Sequence, residues 1–149
     1  MLESWEDADG PRMRIDMGGG ATSDVLRGAI LEAAFIVAPG FLVLLTDDIP
    51  HEDGFTIALL APDGALLDGA RGFGIYSTGH VRDVTVVDER RLRFAFFADL
   101  AYEIDVLPNP APALPWWTGA RDVTRPWRWT RHMILRHSSQ KSPHRRAAP

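Results

Sequence analysis

Asp47, Asp48, His51, Glu52 and Asp53 form the densest group of potential metal ligands in the chain. Carboxylates and a neutral imidazole in one loop suit a divalent cation, and Pro50 would stiffen the approach. The spacing matches neither the EF-hand nor the HExxH pattern, and no second cluster supplies the remaining ligands. The group therefore reads as an acidic hairpin loop, and the sequence assigns no metal ligand and no cofactor.

Ser77, His80 and Asp83 are the residue types of a nucleophile, its base and an orienting carboxylate. All three sit astride the Thr78-Gly79 bend, whereas such triads assemble from separate elements, and no G-x-S-x-G elbow surrounds the serine. No catalytic residue is assigned. His132, His137 and His144 would titrate near a pH of about 6, but a switch also needs a bistable element, so they read as exposed histidines.

The most unusual local composition is Trp116, Trp117, Trp127 and Trp129 interleaved with Arg121, Arg125, Arg128 and Arg131. Exposed, such a surface could dock a protein, stack bases while arginines contact phosphates, or lie at a lipid headgroup layer. Alternation after Pro126 predicts that Trp127 and Trp129 point to one buried face, as large apolar side chains favour. The partner-binding candidates are then Trp116, Trp117, Arg121, Arg125, Arg128 and Arg131.

The elements that must position these residues are strands. Leu92, Phe94 and Phe96 alternate with Arg93 and Ala95, and Tyr102, Ile104 and Val106 alternate with Glu103 and Asp105, the period of half-buried strands. The turn Asp88-Glu89-Arg90-Arg91 is too short and charged for a crossover helix, so a meander over Val81–Leu107 is predicted. Further strands are expected at Phe41–Thr46, Phe55–Ala61 and around Phe73, with Pro62-Asp63-Gly64 the strongest turn. Glycine-rich Gly69–Gly79 could instead wall a pocket. Pro108–Pro115 is expected to run extended over the surface, and Pro126–Arg136 to form a last edge strand.

Asp24–Val37 reads in two ways. Ser23 or Asp24 could cap a short helix with Leu26, Ile30, Ala33 and Val37 on one face. As a strand from about Ala29, Leu31, Ala33, Phe35 and Val37 would share an apolar face, with a mostly apolar second face behind it. The strand is the preferred reading. The run Gly28–Leu45 is nearly long enough to cross a bilayer, but Glu32 and the internal Pro39-Gly40 favour two buried segments joined by a turn, and no transmembrane segment is expected.

The architecture expected is all-β: an antiparallel meander forming a β-sandwich or a partly open barrel of about seven to nine strands. Residues 1–23 are expected as a mobile acidic, glycine-rich tail with a short edge strand at Met13, Ile15 and Met17. Residues 24–137 are expected as a single β domain and 138–149 as a disordered basic tail.

The chain has 149 residues, no cysteine and a formal net charge of −4. The length suits one self-sufficient core, and the lack of cysteine excludes disulfides and thiolate chemistry. With no secretory signal pattern at the start, the cytoplasm is the expected compartment. Arginine supplies 15 of the 16 basic residues, and the abundance of residues with GC-rich codons points to a bacterial genome of that kind. Charge divides sharply: residues 1–120 carry eight basic and nineteen acidic residues, a net of −11, and residues 121–149 a net of +7.

Together these features favour a soluble, non-catalytic β domain that binds a protein partner, of which an inhibitor or immunity-type protein is one form. One alternative is a small-ligand protein or hydrolase using the Ser77/His80 loop and the Asp47–Asp53 loop. The other is nucleic-acid binding through the basic Trp/Arg end. Oligomeric state is not legible.

Overall fold

The computed structural model describes residues 2–50, 52–73, 79–97, 100–113, 120 and 122–138. All of its regular structure there is β. Four strands, β1 (Leu2–Asp7), β2 (Gly10–Gly18), β3 (Ala21–Thr22) and β4 (Leu26–Arg27), make an N-terminal sheet in which β2 pairs with the other three. The meander β5 (Ile30–Val37), β6 (Gly40–Thr46), β7 (Gly54–Leu60) and β8 (Leu66–Phe73) follows. The chain continues through β9 (Arg82–Asp88), β10 (Arg91–Ala95), β11 (Ala101–Pro112), β12 (Val123–Thr124) and β13 (Thr130–Ser138). Strand β12 joins the edge of β8 to complete a five-stranded central sheet, and the third sheet has the order β13-β11-β10-β9.

The central sheet is covered on both sides, which explains why Phe41–Thr46 and Phe55–Leu60 are almost continuously apolar instead of alternating. On one face Leu42, Leu44, Phe55, Ile57 and Leu59 pack against Leu92, Phe94, Tyr102, Ile104, Met133 and Leu135 of the third sheet. On the other, Val43, Leu45, Ala58 and Leu60 pack against Met13 and Leu26 of the N-terminal sheet. Three antiparallel layers result, a sandwich with an added leaf and no barrel closure. A bulge at Glu32 lets β5 serve both faces, since Leu31 pairs with Leu45 and Ala33 with Leu44.

The predicted hairpin at the heart of the chain is present in register, with Leu92 opposite Ile104 and Phe94 opposite Tyr102. Their side chains are buried around Phe55, whose ring meets those of Phe94, Phe96 and Tyr102 edge to face at 5.2, 4.9 and 4.9 Å. Such edge contacts add to the apolar burial of each ring. Two of the glycines in the stretch read as a pocket wall make room for these rings: a Cβ on Gly72 would lie 2.2 Å from Phe55, and one on Gly79 2.3 Å from Phe96, whereas Gly69 does line a groove on the central sheet.

Several expectations are corrected. The described residues hold thirteen strands, not seven to nine. In residues 24–37 the preferred strand reading holds and the short helix is absent, because Leu26–Arg27 pairs with β2 and Ile30–Val37 with β6. The two segments expected in Gly28–Leu45 are the paired strands β5 and β6, and no helix among the described residues is long and apolar enough to cross a membrane. Residues 2–22 are strands where a mobile tail was expected: Met13 is fully buried, and the β1–β2 hairpin is paired from Leu2 opposite Ile15 to Asp7 opposite Gly10. The proline-rich stretch through Pro112 belongs to β11, but the prolines lie beyond the residues that pair with β10, where their missing N–H groups cost no ladder bond on that side. Residues 139–149 lie outside the described residues.

Candidate functional site

Past Val106, β11 runs beyond the core. It pairs again with β13 only at Ala111 opposite Arg131 and Pro112 opposite Thr130. Ala113 N–H then donates to the Trp129 carbonyl at 2.9 Å. Among the described residues no layer covers this ribbon, and it ends in Trp127 and Trp129, which are 74% and 79% exposed. The two indoles lean on each other, ring centres 4.6 Å apart at 70°.

The expectation that they fill the core is therefore overturned. Strand β13 begins at Thr130, so the alternation read through Pro126–Trp129 crosses a segment that is not a strand, and parity along it says nothing about a covering layer. Only Met133 and Leu135, further on, point inward.

What fixes this ribbon is a buried carboxylate. Asp68 of β8 is fully buried and accepts five hydrogen bonds. Its Oδ2 takes Arg125 Nη2 at 2.7 Å and the N–H groups of His132 and Met133 at 2.8 and 3.2 Å. Its Oδ1 takes Gly69 N–H at 2.8 Å and Arg131 Nη1 at 3.3 Å. Arg125 also donates from Nη1 to the Met133 carbonyl at 2.9 Å. Burial pushes its guanidinium below the usual value, and the Asp68 charge opposes that fall. A buried ion persists only when its lone pairs and protons are met in this way.

Of the predicted partner-binding residues, Trp116, Trp117 and Arg121 lie outside the described residues. Arg125 and Arg131 are spent on Asp68, with side chains 3% and 14% exposed. Arg128 sits between the two exposed tryptophans with no ion pair or hydrogen bond to another described residue.

The acidic loop does not gather as a metal site. Asp47 is buried and chelated by Arg71, whose Nη1 reaches it at 3.1 Å while Nη2 bonds its other oxygen. Asp48 and Glu52 face solvent, and burial raises the Asp53 carboxyl while it accepts the Gly54 N–H at 2.9 Å. His51 lies outside the described residues. Among those described, no group of three metal-binding side chains comes together. His80 and Asp83 are exposed, and Ser77 is outside the described residues.

A different trio does assemble. Tyr102 hydroxyl donates to Asp122 Oδ2 at 2.5 Å, and His137 Nε2 lies 2.6 Å from Oδ1, its ring 5.1 Å from that of Tyr102. Burial first, and then the carboxylate, push the phenol far above its ordinary value, so Tyr102 acts as a donor and not as a base. The trio ties the segment before β12 to β11 and β13. Sequence reading missed it, and Asp68 too, although an aspartate inside the apolar strand LLDGA is a signal for a paired buried charge.

The chain matches no protein-family model, no curated protein and no solved structure.

Proposed function

We propose that this chain is a non-catalytic protein-binding domain whose contact surface is centred on Trp127 and Trp129. The observation that carries the reading is their exposure, 74% and 79%, at the end of a ribbon held by four hydrogen bonds to one buried carboxylate. Two adjacent indoles left in water are a large apolar area on a rigid base, the character of a binding anchor. A protein partner fits better than nucleic acid. The rings cover each other edge to face, and two of the three described neighbouring arginines are turned inward, which leaves few cations for phosphates. The net of −11 over residues 1–120 adds long-range attraction for a basic partner, such as an inhibitor or immunity-type protein has, while the tryptophans themselves stand in the stretch of net +7.

The test is co-precipitation from lysate of the source organism with the intact chain and a Trp127→Ala/Trp129→Ala variant, at low and moderate salt. Truncating two anchors should weaken retention of the partner by more than ~30-fold, with the thermal unfolding of the variant unchanged. Equal retention by the variant, or enrichment of nucleic acid that vanishes steeply with salt, overturns the proposal.

A further inference from the structure

The outer strand of a sheet keeps one row of backbone donors and acceptors to spare, and it invites a further strand unless charge, proline, a bulge or shortness blunts it. Most such edges among the described residues are blunted. β1 carries Glu3, Glu6 and Asp7, and β13 carries Arg131 and Arg136. β3, β4 and β12 are two residues long, and β9 holds Arg82, Asp83 and Asp88 with two shifts of register. β5 is the exception. It is an outer strand of the central sheet, and its one charge, Glu32, lies at the bulge near its start, which leaves residues 33–37 unprotected.

Val37 and Gly40 flank a two-residue turn and exchange the ladder bonds that close it. Ala33, Phe35 and Val37 therefore bond to β6, while Ala34 and Ile36 aim their N–H and C=O groups at the free edge. The side chains divide in the same way. Ala33, Phe35 and Val37 pack toward the third sheet, and Ala34 and Ile36 lie on the face of the N-terminal leaf, where Ile36 is 87% exposed. Ala34 stands on the wall of a groove of about 140 Å³, lined also by Ile15, Met17, Leu31 and Val43. We propose that β5 pairs with β5 of a second copy of this chain, antiparallel about a two-fold axis at Phe35. That register sets Ile36 of each copy opposite Ala34 of the other, so these residues exchange backbone hydrogen bonds and each isoleucine meets the other copy's groove. Phe35 faces its counterpart on the opposite face of the sheet, and both Glu32 carboxylates fall outside the paired stretch. The contact closes on itself, because each copy spends its unprotected edge on the other. It involves neither Trp127 nor Trp129 and stands apart from the protein-binding reading.

The experiment is sedimentation of the full chain over a range of concentrations. Monomer and dimer should interconvert by mass action, and Ile36→Lys should weaken the dimer ~10-fold or more while remaining folded, as loss of a buried aliphatic contact would. Trp127→Ala/Trp129→Ala should dimerise like the natural chain, so this surface and the tryptophan surface are read separately. The chain has no cysteine, so single cysteines report the register. Directly opposed residues that do not share hydrogen bonds have Cα atoms ~4.5 Å apart, within reach of a disulfide, so oxidation should link Phe35→Cys chains faster than Ile36→Cys chains. Should Phe35→Cys fail to fold, Ile36→Lys carries the test alone. A chain that stays monomeric at tenths of millimolar, a dimer equally strong in Ile36→Lys, a dimer lost with the two tryptophans, or faster linking of Ile36→Cys would each overturn the proposal.

Discussion

Tyr102 is fully buried and bonded to Asp122, and its phenol holds its proton well above the ordinary value of 10.0. The unfolded chain releases that proton at the ordinary value, so unfolding sheds a proton in alkali and rising pH favours the unfolded state. The stabilisation is complete below a pH of about 10 and is lost above it, at a slope approaching ~1.4 kcal/mol per pH unit. Urea unfolding between neutral and strongly alkaline pH should show this fall, and Tyr102→Phe should remove its share of the slope. At this scale the sequence is legible where a residue's neighbours in the chain decide its environment. Phe94 and Tyr102 were placed correctly because alternation alone sends them inward. Trp127 and Trp129 were not, because whether a face is covered depends on a layer from elsewhere in the chain.

Between elements, the decisive contact is the one from β8 to β13 through Asp68. It spans 63 to 65 residues of sequence, and no local pattern reports it. Asp68→Ala would leave Arg125 charged, with a side chain only 3% exposed, and strip acceptors from two backbone N–H groups of β13. The loss should be ~3–5 kcal/mol in denaturant unfolding, the cost of breaking one side of a buried pair. Asp68→Asn keeps the shape and part of the acceptor capacity and should cost less. Strands read from their own composition were found where the period is clean, as in β10 and β11, and in β5, where both faces carry apolar residues. β1 was invisible because all six of its residues are exposed, so its order comes from pairing with β2 and not from burial. Gly40, which begins β6, shows the same dependence on context: a Cβ there would meet the Leu60 carbonyl oxygen at 2.0 Å, a constraint set by a strand twenty residues away.

For the molecule as a whole, the N-terminal sheet is the cover of one face of the central sheet, and Met13 is its buried anchor. Met13→Ala should lower stability by ~2–5 kcal/mol, as core truncations do, and should increase binding of an apolar dye to the face that carries Val43, Leu45 and Leu60. Unchanged stability would mean that the leaf is not part of the cooperative structure. The three-layer order also has a consequence for the chain as it is made. The N-terminal leaf leaves the ribosome before the central meander, so that face finds its cover at once. The four meander strands that carry Leu42, Leu44, Ile57 and Leu59 on the opposite face are made when Phe73 emerges, but that face is closed only by residues from Leu92 to Leu135. At ~5–20 residues per second that interval lasts several seconds, during which a nascent half-sandwich presents one dry side to chaperones and to its neighbours on the same message.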